Sequence, residues 1–265
     1  NITDLGTLKN DNSGRSGASA ISGDGSVVVG GSFIIPNSLF GLTDPRATIW
    51  SGSGWANKTD LGTLKADNSG SSEANAVSGD GLVVGGWASN DNGEARGIIW
   101  SGSNWATKTN LGTLDSSNSL DGTARAVSDD GSIVVGSASD DSVPARAIVW
   151  SGSNWATKTD LGTLKADNTG FSSANAVSGD GSLVFGQADN DNGEMHATAW
   201  SGSGWTTKTD LGTLKTDNSG YSLLEGISAD GNFAVGRADN DNGYRRAVVW
   251  NLRGGRAVDT ANTRA

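Results

Sequence analysis

Residues 171–214 read FSSANAVSGDGSLVFGQADNDNGEMHATAWSGSGWTTKTDLGTL, and the turn residues in that stretch decide the fold. Residues 173–178 are small and strand-compatible. Gly179-Asp180-Gly181 is a tight hairpin turn, with glycine supplying the positive φ that other residues avoid. Residues 182–186 are apolar and β-prone. Residues 188–193 form a polar loop ending in Asn192-Gly193, a second hairpin signal. Residues 196–200 make a third strand, Ser201-Gly202-Ser203-Gly204 turns the chain, and residues 205–211 make a fourth. Residues 215–220 then cross to the next unit. No 3.6-residue apolar period appears, so essentially no helix is expected.

The same unit recurs along the chain. Leu-Gly-Thr-Leu begins at Leu5, Leu61, Leu111, Leu161 and Leu211, and Trp50, Trp100, Trp150, Trp200 and Trp250 keep the same beat. A fixed period near 50 residues points to a propeller, a solenoid or an array, because one unit cannot bury its apolar face alone. Four short antiparallel strands per unit make one propeller blade. The small first strand suits the crowded innermost position. Residues 2–8 match a fourth strand with no third before it, and the last repeat stops after its third strand, 246–250. The N-terminal strand is therefore expected to complete the last blade beside Val248 to Trp250 and remove a free edge. The fold expected is all-β, a five-bladed β-propeller over residues 1–250, with 251–265 as a polar linker. A β-solenoid is the alternative, but neither end carries the distinct polar cap it requires.

Composition narrows the function classes. The chain has 265 residues, 40 Gly, 10 Trp and no Cys, so disulfides and thiolate metal sites are excluded. A net charge of −10 argues against nucleic acid and against an anionic membrane surface. No run is long and apolar enough to span a bilayer, and no signal peptide precedes the first motif, so direct membrane insertion is not expected. The chain starts inside a repeat, as a processed product or fragment does.

Asp160 to Leu164, Ala176 to Gly186 and Arg146 to Trp150 carry the pattern Asp-Leu-Gly-Thr-Leu, Ala-Val-Ser-x-Asp-Gly-Ser-x-Val, Arg-Ala-x-x-Trp. This pattern resembles the HAF family of extracellular repeats, across residues 1–250. The resemblance implies a secreted or cell-surface bacterial protein. It further implies an autotransporter passenger fused to a downstream translocator, with the tail after Trp250 as the connection. The unit here is longer than many of that family's repeats. Its crossing loop reads Lys-x-Asp-Asn-Ser-Gly where a short Gly-Gly step is usual. No chemistry follows from the resemblance.

Four features are candidate sites. The crossing loops carry Lys65, Asp67 and Asn68; Lys165, Asp167 and Asn168; and Lys215, Asp217 and Asn218. Such groups hydrogen-bond sugar hydroxyls, one set per blade, although Asp and Asn also close local turns onto the backbone. Asp189 with Asp191, and Asp239 with Asp241, space oxygens as Ca²⁺ ligands do, against the plainer reading of hairpin turns. Phe33, Ile34, Ile35, Leu39 and Phe40 break the symmetry with an apolar insertion that suits a protein partner or a channel plug. Trp87 lies outside the repeat pattern and is a candidate contact. The paired Trp50/Trp55, Trp100/Trp105, Trp150/Trp155 and Trp200/Trp205 are expected to face each other across strands and pack blades together. Catalysis has little support: His196 is the lone histidine, and no Ser/His/Asp order, Cys nucleophile, phosphate-binding loop or His-based metal motif is present. The expectation is a monomeric, non-enzymatic binding module for a glycan or host-surface ligand. A protein-interaction passenger is the second reading and a glycosidase or lyase the third.

Overall fold

Each Asp-Gly turn folds as one device. The Ser178 hydroxyl donates to Asp180 Oδ1 at 2.6 Å, the same oxygen accepts the Ser182 N–H at 3.0 Å, and Gly181 sits at φ +73. The same Ser–Asp bond recurs at Asp24, Asp80, Asp130 and Asp230. These bonds stabilise the carboxylate. In Asp24 the Ser26 N–H and then the Ser22 hydroxyl lower the pKa to about 2.

The turns connect strands into five antiparallel sheets, seen in a computed structural model that describes residues 2–33, 45–118, 120–141 and 145–252. The first blade is β1 (Arg15–Ile21), β2 (Val28–Phe33), β3 (Pro45–Ser51) and β4 (Asn57–Asp60). The second is β5 (Ser72–Val77), β6 (Val84–Ser89), β7 (Ala95–Ser101) and β8 (Thr107–Asn110). The third is β9 (Gly122–Val127), β10 (Val134–Ala138), β11 (Arg146–Ser151) and β12 (Thr157–Asp160). The fourth is β13 (Ser172–Val177), β14 (Val184–Asp189), β15 (Met195–Ser201) and β16 (Thr207–Asp210). The fifth holds β17 (Ser222–Ile227), β18 (Phe233–Asp239) and β19 (Arg245–Asn251). Strands neighbour one another in chain order, and the molecule is a five-bladed β-propeller.

Blades meet through a repeated apolar contact. Ile49 and Leu61 pack on Val84 and Trp100, and Ile99 and Leu111 on Val134 and Trp150. Val149 and Leu161 pack on Val184 and Trp200, and Ala199 and Leu211 on Ala234 and Trp250. The four tryptophans from Trp50 to Trp200 are fully buried, so truncating one of these rings to alanine costs about 3–5 kcal/mol. Turn backbones also join consecutive blades, as in Asp129 N–H to Gly179 O at 2.9 Å.

One expectation needs correction. The tryptophan pairs do not face each other: Trp200 stands opposite Lys208, while Trp205 lies in the 3-10 turn Ser203–Trp205 before the fourth strand. Its indole N–H donates 3.1 Å to Gly181 O, tying that turn to the Asp-Gly turn of its own blade. Trp55, Trp105 and Trp155 do the same. Closure of the last blade by the N-terminal strand is not detected among the described residues. β19 pairs with β18 alone, and residues 2–8 form no strand. Residues 6 and 7 are buried against the first blade, with Leu8 N–H donating 2.9 Å to Ser32 Oγ, while Ile2 is fully exposed.

Candidate functional site

The innermost strands share an irregularity. In β1, β5, β9, β13 and β17 the register against the second strand shifts by one residue, a β-bulge. The extra residues are Ser19, Asn75, Arg125, Asn175 and Glu225. A bulge re-aims the side chain it inserts, and here it acts at one equivalent position in every blade. The opposing glycine explains how the bulge is built. A Cβ on Gly186 would lie 1.9 Å from Ser173 O, and Gly30, Gly86, Gly136 and Gly236 meet the equivalent carbonyl at 2.0 Å. Only glycine lets the two backbones approach so closely.

The bulge residues are the variable part of an otherwise repetitive strand. Alanine flanks them on both sides in four blades, yet the five residues run hydroxyl, amide, guanidinium, amide, carboxylate. Three of them, Asn75, Arg125 and Asn175, line one cavity of about 410 Å³ together with Phe171, Ser173 and Gln187. Asn75 Nδ2 donates 2.9 Å to Ala124 O, holding its carboxamide against the next strand. Ser173 Oγ donates 3.0 Å to Asn175 Oδ1, which leaves the Asn175 amide hydrogens available. Arg125 has no hydrogen bond or ion pair to another described residue. Surrounding protein atoms desolvate its guanidinium and lower its pKa from the ordinary value. The fifth blade differs, because Glu225 is paired with Arg237 at 2.8 Å.

The residues singled out from sequence fall elsewhere. Asp67, Asn68 and their counterparts Asp167, Asn168, Asp217 and Asn218 are exposed on the crossing loops, but their oxygens serve the backbone. Asp67 Oδ1 accepts the Ser69 N–H and Asn68 Oδ1 the Thr63 N–H, with Asn68 at φ +58. Asn168 and Asn218 repeat this with Thr163 and Thr213. Lys208 of the fourth strand also reaches Asn168 Oδ1 at 2.7 Å, so the loop is a tie between blades. Lys65, Lys165 and Lys215 are half-buried beside these turns. The carboxylates of Asp189, Asp191, Asp239 and Asp241, the Ca²⁺ candidates, accept backbone N–H bonds. Within each loop the two carboxylates hold different backbone segments: Asp189 takes Phe171 N–H and Asp191 takes Ala166 N–H. Asp239 and Asp241 do likewise with Tyr221 and Thr216. No group of three or more His, Asp or Glu side chains suited to a metal gathers among the described residues.

Phe33 ends β2, half-buried, in the wall of a larger cavity of about 690 Å³ beside the N-terminal segment. Ile34, Ile35, Leu39 and Phe40 lie outside the described residues. Trp87 is half-buried on β6, opposite Glu73. His196 is fully buried and bonded to Asp210 and Gly220. Arg125 was missed because a bulge leaves no mark in an alternating strand. The signal that could have found it is the changing residue between constant alanines, read together with the obligatory glycine opposite.

Solved structures support the fold. A TolB from Acinetobacter baumannii matches with TM-score 0.56 and 15% identity, over 91% of this chain and 53% of that one. A TolB from Agrobacterium tumefaciens matches with TM-score 0.59 and 14% identity, over 91% of this chain and 78% of that one. This chain thus spans about half the length of the first. No family model and no curated protein matches the chain. At such identities the likeness concerns the fold alone.

Proposed function

We propose that this propeller is a non-catalytic recognition module that binds a carbohydrate in the cavity of Asn75, Arg125, Phe171 and Asn175. The observation that carries this reading is the convergence of amide, hydroxyl and guanidinium donors beside an aromatic ring, on three consecutive blades. Sugars offer paired hydroxyls and an apolar face, and such a lining answers both. The crossing loops are set aside as the binding surface, since their Asp and Asn oxygens hold the backbone. The buried state of the lone histidine favours binding over catalysis. The resemblance of the repeats to the HAF family supports a place outside the cytoplasm, on a secreted or surface-displayed protein.

A glycan array probed with the purified chain, with and without a calcium chelator, tests this. Saturable binding to a related set of sugars, indifferent to chelation and lost in Asn175→Ala, is expected. A clean negative on every sugar would move the reading to a protein partner.

A further inference from the structure

The chemistry of the cavity narrows the ligand. Its cation stands at the bulge of the third blade, and the equivalent positions of both neighbouring blades hold neutral carboxamides, Asn75 and Asn175. A guanidinium placed this way is charged, reached by solvent and without an anionic partner among the described residues. A carboxylate would meet it with two parallel hydrogen bonds. The flanking amides are suited to the hydroxyls next to that carboxylate. Two acidic side chains belong to inner strands. Glu225 is neutralised by Arg237 at 2.8 Å, and Glu73 lies on β5 opposite Trp87, outside the cavity lining.

Resting on the carbohydrate reading above, we infer that the ligand is an acidic glycan, whose sugar carboxylate pairs with Arg125 between the Asn75 and Asn175 amides. The overall charge of −10 refines this further. A dense polyanion is repelled by the molecule as a whole, whereas an isolated hexuronate among neutral sugars feels chiefly the local guanidinium. The expected ligand therefore carries sparse carboxylates, and affinity falls with added salt only modestly.

The test is calorimetric titration of the full chain with a hexuronate-containing disaccharide, its carboxyl-reduced neutral twin and a sulfated analogue. The acidic disaccharide is expected to bind about 10–100-fold more tightly than the neutral twin, the range set by a hydrogen bond to a charged group. Arg125→Met should erase that preference, so that the acidic and neutral sugars bind equally, whatever affinity both lose with the guanidinium's contacts. Arg125 is solvent-reached, so the variant should melt as the parent does. Asn175→Asp offers a second check, because a carboxylate beside Arg125 should compete internally and weaken acidic binding alone. Equal affinity for the acidic and neutral sugars would overturn the inference and leave the carbohydrate reading intact. Tighter binding of the sulfated analogue would overturn the carboxylate assignment. Failure of all three sugars, or binding of an acidic peptide in their place, would overturn both.

Discussion

The third strand of each repeat opens on a cation, and one exception makes the propeller sensitive to pH. Arg46 and Arg146 pair with Asp60 and Asp160 at 3.0 and 2.9 Å. In the fourth blade the place is taken by His196, fully buried, with Nδ1 2.9 Å from Asp210 and Nε2 3.1 Å from Gly220 O. Burial alone would lower the imidazole's pKa, but the hydrogen bond and charge of Asp210 outweigh it and raise the pKa above 6.5. Burial likewise opposes the Asp210 carboxylate, yet the His196 hydrogen bond prevails and its pKa falls below 3.8. A raised folded-state pKa means the histidine's contribution is complete below pH 6.5 and fades as pH rises through the raised value. The carboxylate's contribution is complete above pH 3.8 and fades as pH falls through the lowered value. The parent chain should therefore lose melting temperature on going from pH 6 to pH 9, and His196→Arg should remove most of that slope. Thermal melts across the range decide the matter, and equal slopes would mean the histidine is neutral throughout. His196→Ala should cost about 1–3 kcal/mol by removing a hydrogen bond to a carboxylate that still accepts from Gly212 and Asn218.

At the scale of the element, the bulge on each inner strand sets both stability and site geometry. Gly186→Ala must push Ser173 O away, which flattens the bulge or displaces β14. A loss of about 1–3 kcal/mol is expected, together with weakened ligand binding as Asn175 turns. Gly17→Ala is the matched control. No atom lies within 4 Å of the added carbon there, and stability should change little. Chemical denaturation of both variants checks the pair, and equal losses would refute the steric account. The bulge also shows where sequence reading succeeded and failed. The turns were legible because Asp180-Gly181 and Asn192-Gly193 require conformations few other residues adopt. Three of the four strands of each repeat followed from those turns. Two features were hidden because they depend on register: the shift at Asn175, and the pairing of Trp200 with Lys208 in place of Trp205. The crossing loops misled for a related reason. Asn168 looks like a ligand-binding amide, yet its left-handed backbone and its bond to Thr163 N–H make it a turn residue first.

For the whole molecule, the decisive question is what covers the fifth blade. The apolar contact made four times between blades has a fifth set of components on its two open sides. Val235 and Val249, which match Val135 and Val149 of the third blade, are 46% and 60% exposed. On the first blade an apolar groove of about 520 Å³ runs between Leu5, Ile21, Val28 and Trp55. The N-terminal segment already has the conformation that follows a fourth strand. Asp4 Oδ1 accepts the Gly6 N–H at 2.9 Å, as Asp60 accepts that of Gly62 at 2.8 Å. By the repeat rule Asp4 is then the counterpart of Asp60 and Arg246 that of Arg46, although Arg246 now rests over the Tyr244 ring, 5.4 Å from its centroid. If the two faces meet within one chain, Asp4→Ala and Arg246→Ala should be non-additive by about 0.5–3 kcal/mol in a double-mutant cycle. Their melts should then be independent of protein concentration. If the faces meet between copies, the same coupling should appear with a mass that doubles or grows on concentration, since a head-to-tail contact need not close. Additive losses at constant monomer mass would sever Asp4 from Arg246 and assign the exposed Val235 and Val249 face to a different strand altogether.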